Sequence, residues 1–299
     1  MSKEKVFAAL GRRPGAFLSG EELSRELGIS RAAVWKAVEA LRQDGYTIEA
    51  KTGSGYALTA SPDALTEREI RRRLPAGDYP LHCLEEVDST NSYLKRIALE
   101  GAPHGTAAIA DYQTGGKGRM GRQFQSPRGK GVYLSILLRP RCSAADTLPV
   151  TALTAVAVCN AVERTTGVRP QIKWTNDVVL QGRKLCGILT EVALEGETGQ
   201  VQSMVIGAGI NVHHQPGDFS PEVEAMATSL DQALGGSHSR PDLAAALYLE
   251  LLALGDRLGE DHSADLAAYR RDCLTLGREA RLLWGDRQEQ VTALDVDEQ

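Results

Sequence analysis

Between Asp111 and Asp146 the chain carries no acidic residue. The same window holds Lys117, Arg119, Arg122, Arg128, Lys130, Arg139 and Arg141, with Gly115, Gly116, Gly118, Gly121, Gly129 and Gly131 among them. Backbone freed by glycine and flanked by bases is what a bound phosphate requires, so the window is a candidate anion site. It also limits the fold. Gly116-Lys117-Gly118-Arg119-Met120-Gly121 matches G-x-G-x-x-G letter for letter. In a dinucleotide-binding fold that motif sits between a strand and a helix, with an acid about 20 residues further on. A strand does precede it, at Ala107–Ala110. On its C-terminal side stand Gln123-Phe124-Gln125-Ser126-Pro127 and then the β-rich Gly131–Leu138, with no acid in reach. The context argues against a Rossmann site and a plain dinucleotide oxidoreductase. No G-x-x-x-x-G-K-[ST] loop occurs either, so a nucleotide bound here is held in a less common way.

The 299 residues suit roughly two domains. A composition of 42% hydrophobic and 24% charged supplies a packed core and excludes collagen-like, low-complexity and disordered classes. No uninterrupted apolar run reaches the ~18 residues of a membrane span, so no membrane partner is expected. The charge-broken start MSKEKVFAALGRRPG is not a secretory signal. Cys83, Cys142, Cys159, Cys186 and Cys273 are odd in number and widely spaced. A disulfide framework is not expected, and a reducing cytoplasm fits best. His82–Cys83 and His213–His214 lack partners at metal-ligand spacing. The net charge of −5 hides an asymmetry. Residues 1–60 carry nine bases and seven acids and so are +2, while the remainder is −7. That points to nucleic acid at the N-terminus.

Residues 20–44 read GEELSRELGISRAAVWKAVEALRQD. Leu23 and Leu27 lie one helical turn apart, Gly28 supplies a turn, and Ser30 is a good N-cap. Val34, Val38 and Leu41 form an i, i+4, i+7 stripe on a second helix. The pattern predicts a helix-turn-helix at 20–39. Tyr46–Glu49 alternates as a strand, Thr52–Gly55 turns, and Tyr56–Leu58 returns, as a wing would. Ser30, Arg31 and Lys36 are the candidate DNA contacts, and Trp35 is expected in the core. Thr59–Asp63 reads as a linker, and a short helix, Glu67–Leu74, opens the next domain.

Downstream, short motifs come in a fixed order. They are Ser89-Thr90-Asn91, Gln113, Gly116–Arg122, Lys173-Trp174-Thr175-Asn176-Asp177, Lys184–Leu189 and Gly207–Val212. In this order, behind a helix-turn-helix, the set resembles the bifunctional biotin–protein ligases that also repress biotin biosynthesis genes. The resemblance runs from the winged helix to about Leu274. It implies formation of biotinyl-5′-adenylate from biotin and ATP with Mg²⁺, then transfer of biotin to a lysine of a carboxylase carrier domain. It further implies operator DNA as a partner and a homodimer when the adenylate is bound. Lys184 and Arg119 are then the catalytic candidates. Ser89, Thr90, Asn91, Gln113, Lys117, Gly118, Arg119 and Lys184 would bind biotin. Arg119, Arg122, Phe124, Asn176 and Asn211 would bind the nucleotide, Phe124 by stacking on adenine. Asp177 would hold Mg²⁺ or simply fix a turn between strands. The plainer readings are an exposed hairpin lysine for Lys184 and a helix N-cap for Ser89-Thr90.

Three departures from the family pattern stand out. Lys117 replaces a more usual arginine and loses its planar fork. Thr175 replaces a more usual proline. The family's small SH3-like β domain is represented only by Gly277–Leu283 and Gln288–Leu294. Its end is therefore expected to be truncated or built differently. The expected fold is α+β: a winged helix at 1–62, a catalytic α/β domain with a mixed, class II synthetase-like sheet at 63–274, and an incomplete β segment at 275–299. Two alternatives stay open, a lipoate ligase and a repressor that senses biotinyl-adenylate without transferring it.

Overall fold

The computed structural model describes residues 2–13, 15–196, 199–284 and 287–296. The chain divides into two compact units, Met1–Asp63 and Ala64–Gln299.

The first unit holds α1 (Ser2–Gly11), α2 (Gly20–Leu27), α3 (Arg31–Gln43) and a hairpin of β1 (Thr47–Lys51) and β2 (Gly55–Ala60). Short polar residues start its helices. Ser19 Oγ accepts from the Glu22 amide at 3.0 Å and Ser30 Oγ from that of Ala33 at 3.2 Å. Gly28 closes α2 in the left-handed region at φ 64° and donates to the Ser24 carbonyl. Val34, Ala37, Val38 and Leu41 of α3 meet Leu23 of α2 and Val6, Phe7 and Leu10 of α1 in one core. The result is a helix-turn-helix with a wing. Trp35, expected in the core, is 54% exposed. The i, i+4, i+7 stripe already fills the buried face of α3, and position 35 is turned from Val34 by about 100° around the helix.

The second unit opens with α4 (Glu67–Arg71), β3 (Leu81–Leu84), α5 (Thr90–Leu99), β4 (Thr106–Ala110) and β5 (Gly131–Leu138). It continues with α6 (Val150–Thr166), β6 (Gln171–Lys173), β7 (Asp177–Leu180), β8 (Arg183–Leu194) and β9 (Val201–Asn211). It ends with α7 (Pro221–Glu224), α8 (Leu230–Leu234), α9 (Arg240–Asp256), α10 (Ser263–Asp272) and a hairpin of β10 (Glu279–Trp284) and β11 (Arg287–Thr292). Residues 285–286 and 297–299 of the expected tail lie outside the described residues.

Seven strands form one sheet in the order β3-β4-β5-β9-β8-β7-β6, with β3–β4 parallel and every other pair antiparallel. Side chains alternate across it. On one face Ile109, Val132, Leu134, Ile136, Cys186, Ile188, Ile206 and Ile210 pack into the main core with α6 and α9. Each such side chain, fully buried, contributes roughly 1.5–3 kcal/mol. The stretch Ala145–Thr166 is long and apolar enough to cross a bilayer, by length and composition alone. Here α6 uses that apolarity against β6, β7, β8, α9 and α10. Among the described residues all five cysteines are free thiols, and burial holds Cys159 up at about 12.

The acid-free window does not act as one patch. Arg139 donates to the carbonyls of Ala98 and Ala102 at the end of α5, Arg128 pairs with Glu86, and Lys130 pairs with Asp218. Lys117, Arg119 and Arg122 stay exposed on the glycine loop, and Arg141 is exposed beyond β5. The eight-residue β5 carries Arg139 and Arg141 roughly 26 Å from the bases that precede it.

Because Trp35 is half exposed, Trp35→Ala is expected to lower stability by less than about 1.5 kcal/mol, against about 3–5 for a buried tryptophan. Urea unfolding of the full chain measures the difference.

Candidate active site

The other sheet face carries the site. α5 covers one end of it through Leu94, which meets Ala108, Leu137 and Val205. Beyond the start of α5 the face is almost bare. Gly187 of β8 pairs with Gly209 of β9, and Leu189 with Gly207. Next to them on β5 stand Tyr133 and Ser135. A Cβ on Gly209 would run into the Phe124 ring, with Cζ at 2.7 Å, and one on Gly187 would reach the same ring at 3.2 Å. Phe124 therefore lies flat on a glycine floor, with Tyr133 edge-on at 6.4 Å between centroids.

Polar groups close one end of the floor. Ser89 caps α5. The Thr90 amide donates to Gln113 Oε1 at 2.9 Å, and Gln113 Nε2 donates to Ser126 Oγ at 2.8 Å. Ser135 Oγ lies 2.7 Å from Thr90 Oγ1 and 2.6 Å from Asn91 Oδ1. Asn91 was expected to meet ligand directly. Both N–H bonds of its amide are instead given to protein, to Glu191 Oε2 at 2.9 Å and the Leu189 carbonyl at 3.3 Å.

Cations close the other end. Lys184 Nζ pairs with Asp177 Oδ1 at 2.7 Å. Its position depends on a register shift. Val178 pairs with Cys186 but Val179 with Lys184, so Leu185 is an extra residue on β8. Without that bulge Lys184 would share the face of Cys186 and point into the core. With it, the lysine stem crosses Gly187, its Cε 3.4 Å from where a Cβ would stand. The glycine loop adds Arg119, whose guanidinium donates to Thr175 Oγ1 and to Asn176 Oδ1. Asn176 in turn donates to the Ile188 carbonyl at 3.1 Å.

Ser89, Thr90, Asn91, Gln113, Lys117 and Phe124 thus line one small recess of about 30 Å³. Lys184, Arg119, Asn176 and Asp177 gather beside it. Gly118 and Arg122 belong to the loop, where the Gly118 amide donates to the Arg122 carbonyl at 2.7 Å. Asn211 is buried at the end of β9; its Nδ2 donates to the Thr228 carbonyl and its Oδ1 has no protein partner. Among the described residues no cluster of three His, Cys, Asp or Glu side chains is arranged for a metal ion. His213 bonds Asp231 at 2.7 Å, and His214 is buried against Phe219 and held down at about 4 by that burial. Sequence reasoning missed Ser126, Ser135 and Glu191. Ser135 had a signal, a lone hydroxyl in the apolar strand Val-Tyr-Leu-Ser-Ile-Leu-Leu.

In the first unit Ser30, Arg31, Trp35 and Lys36 share the exposed side of α3. Arg31 is held by Glu21 at 2.5 Å.

Residues 83–211 match the Biotin/lipoate A/B protein ligase family, and residues 3–57 match an HTH domain. The Bifunctional ligase/repressor BirA of Escherichia coli (strain K12) is 33% identical over 296 residues, covering 99% of this chain and 89% of that protein. The chain belongs to the bifunctional biotin ligase/repressor family. Its namesake in Bacillus subtilis (strain 168) is 43% identical over 221 residues, covering 73% of this chain and 67% of that one. Among solved structures, a biotin protein ligase from Aquifex aeolicus in complex with biotin and ATP superposes with a TM-score of 0.61 at 28% identity. It covers 73% of this chain and 88% of its own.

In this ligase/repressor the floor tolerates no side chain. A Cβ on Gly207 would overlap Asn91 Oδ1, and Asn91 is backed by Glu191 and Leu189 and cannot yield. Gly207→Ala is expected to cost roughly 1–3 kcal/mol in chemical unfolding.

Proposed function

We propose that the second unit condenses biotin with ATP, releasing pyrophosphate, and then passes the biotinyl group from the adenylate to a lysine of a carboxylase carrier domain, releasing AMP. The observation that carries this reading is the bulge at Leu185. It sets Lys184 on the same sheet face as the Thr90–Gln113 polar end. From β5 to β7 is three strand spacings, roughly 15 Å, which suits an elongated ligand with a neutral ring at one end and an anionic group at the other.

Each residue then has a task. A ureido ring needs donors and acceptors, and Ser89, Thr90 and Gln113 supply them. Asn91 sets Thr90 through Ser135. The glycine floor and Phe124 take the apolar tail, and Phe124 offers its remaining face to adenine. A carboxylate and a polyphosphate repel each other, so cations must stand between them. Lys184 stabilises the charge that develops on the carboxylate and α-phosphate. Lys117 and Arg119 close over both on the glycine loop, and Arg122 meets the departing pyrophosphate. Asn176 and Asn211 contact the nucleotide. Asp177, now paired with Lys184, would offer a hard oxygen donor to the Mg²⁺ that accompanies ATP, and such an ion would neutralise phosphate charge. Incubation with biotin, ATP-Mg and a carrier domain is expected to yield a biotinylated lysine by mass spectrometry. An adenylate that forms without transfer supports the sensing-only alternative. Lys184→Ala is expected to slow adenylate formation on the order of 10²–10³-fold while leaving the unfolding midpoint unchanged. A near-normal rate removes Lys184 from the reaction.

The first unit represses biotin biosynthesis genes in this reading. Its charge of +2 is too small for tight binding by one copy, because phosphate neutralisation dominates affinity. Two helix-turn-helix modules in a dimer reading two half-sites solve this. The adenylate favours the dimer through its higher affinity for that state. Ser30, Arg31 and Lys36 contact the operator, Arg31 after leaving Glu21. Biotin with ATP-Mg is expected to raise the dimer fraction in sedimentation and tighten the operator mobility shift. Arg31→Ala is expected to lose operator binding and keep biotin transfer. Equal operator affinity with and without adenylate refutes the switch.

A further inference from the structure

Behind the recess runs a chain of buried polar groups whose proton order follows from which of them can only accept. Glu191 and the Leu189 carbonyl can only accept, so Asn91 must turn its Nδ2 to them and its Oδ1 to Ser135. Burial raises the Glu191 carboxyl. Hydrogen bonds from Lys95 and Asn91, with the charges of Lys95 and Lys117, more than offset this and hold it below the usual range. Ser135 has one hydroxyl hydrogen, and Asn91 Oδ1 takes it at 2.6 Å. At 2.7 Å the Ser135 oxygen then accepts from Thr90, whose other acceptor, Gln113 Oε1, is farther at 3.2 Å and already takes the Thr90 amide. Thr90 has one hydroxyl hydrogen as well, and it is now used. Asn91 and Thr90 are each 4% exposed and Ser135 is 0%, so no bulk water can reverse the order.

We infer that Glu191, Asn91 and Ser135 are positioning residues that lock the Thr90 hydroxyl as a pure acceptor toward the recess, so that position 90 selects a ring N–H and rejects a ring oxygen. The inference rests on the biotin-ligase reading and deepens it by naming what makes the ureido end selective. Gln113 complements it. Its Oε1 takes the Thr90 amide and its Nε2 gives one hydrogen to Ser126, which leaves a second donor. The site therefore presents an acceptor beside a donor, the mirror of a cyclic urea.

The test uses the full chain and calorimetry with biotin and with the two cyclic carbamate analogues in which one or the other ring N–H is replaced by oxygen. The wild-type protein is expected to bind the weaker carbamate roughly 100-fold less tightly than biotin, because two acceptors then face each other unpaired. In Ser135→Ala the Thr90 hydroxyl loses its shorter acceptor and keeps only Gln113 Oε1 at 3.2 Å, from which it can turn to donate to a ligand. The preference is expected to fall to within roughly tenfold, while biotin itself loses less. Glu191→Ala, on the half-exposed outer end of the chain, is expected to shift the ratio the same way if Ser135→Ala does not fold. Glu191→Gln, which keeps an acceptor for Asn91, is expected to retain the wild-type ratio. If Ser135→Ala or Glu191→Ala weakens biotin and carbamates by one common factor, the residues only support the fold and the proton order is overturned. If the wild-type protein binds no biotin, the ligase reading fails instead.

Discussion

A sheet face without side chains has to be covered, and the second unit depends on that constraint. Gly187, Gly207 and Gly209 leave a bare strip beside Ser135 on the side facing away from α6 and α9. Bare backbone lets other groups come close. Phe124 lies directly on two of these glycines, and Asn91 sits against the third. The opposite face of the same strands carries branched apolar side chains and holds the sheet rigid. Strong packing on one side and a strip of bare glycines on the other produce a groove with a firmly held floor.

Buried polar groups are costly unless each is paired, and the groove meets that demand with few residues. Thr90, Asn91, Gln113, Ser126 and Ser135 pair among themselves and with Glu191. The cationic end is less constrained. Lys117, Arg119 and Arg122 stand on an exposed loop, and Arg119 rests on Thr175 and Asn176. A rigid end that reads shape and hydrogen bonds faces a looser end that meets charge. The division suits a ligand whose ring must be recognised before its anionic end is joined to something else.

The first unit obeys a different logic. Its core is a small helical cluster saturated by the α3 stripe, which leaves Ser30, Arg31, Trp35 and Lys36 outside. The Arg31–Glu21 pair is exposed, and such pairs contribute little to stability. A phosphate can replace Glu21 at small cost.

The sequence by itself determined the helix-turn-helix, because caps and a 3.6-residue stripe are local, and it placed the strands around the glycine loop for the same reason. It also determined the ordered motifs and the absence of a helix after G-x-G-x-x-G. Tertiary structure alone decided the rest. Lys184 faces the groove only because one extra residue, Leu185, shifts the β7–β8 register, and register is a property of two strands together. The basic window divides because Arg128 and Lys130 find Glu86 and Asp218, remote in sequence, while β5 spans the sheet and delivers Arg139 to the end of α5. Asn91 gives its amide hydrogens to protein because Glu191, 100 residues away, and the Leu189 carbonyl are brought beside it. Spacing along a chain specifies which side chains share an element. Which way each one faces, and what it finds there, is settled when the elements pack.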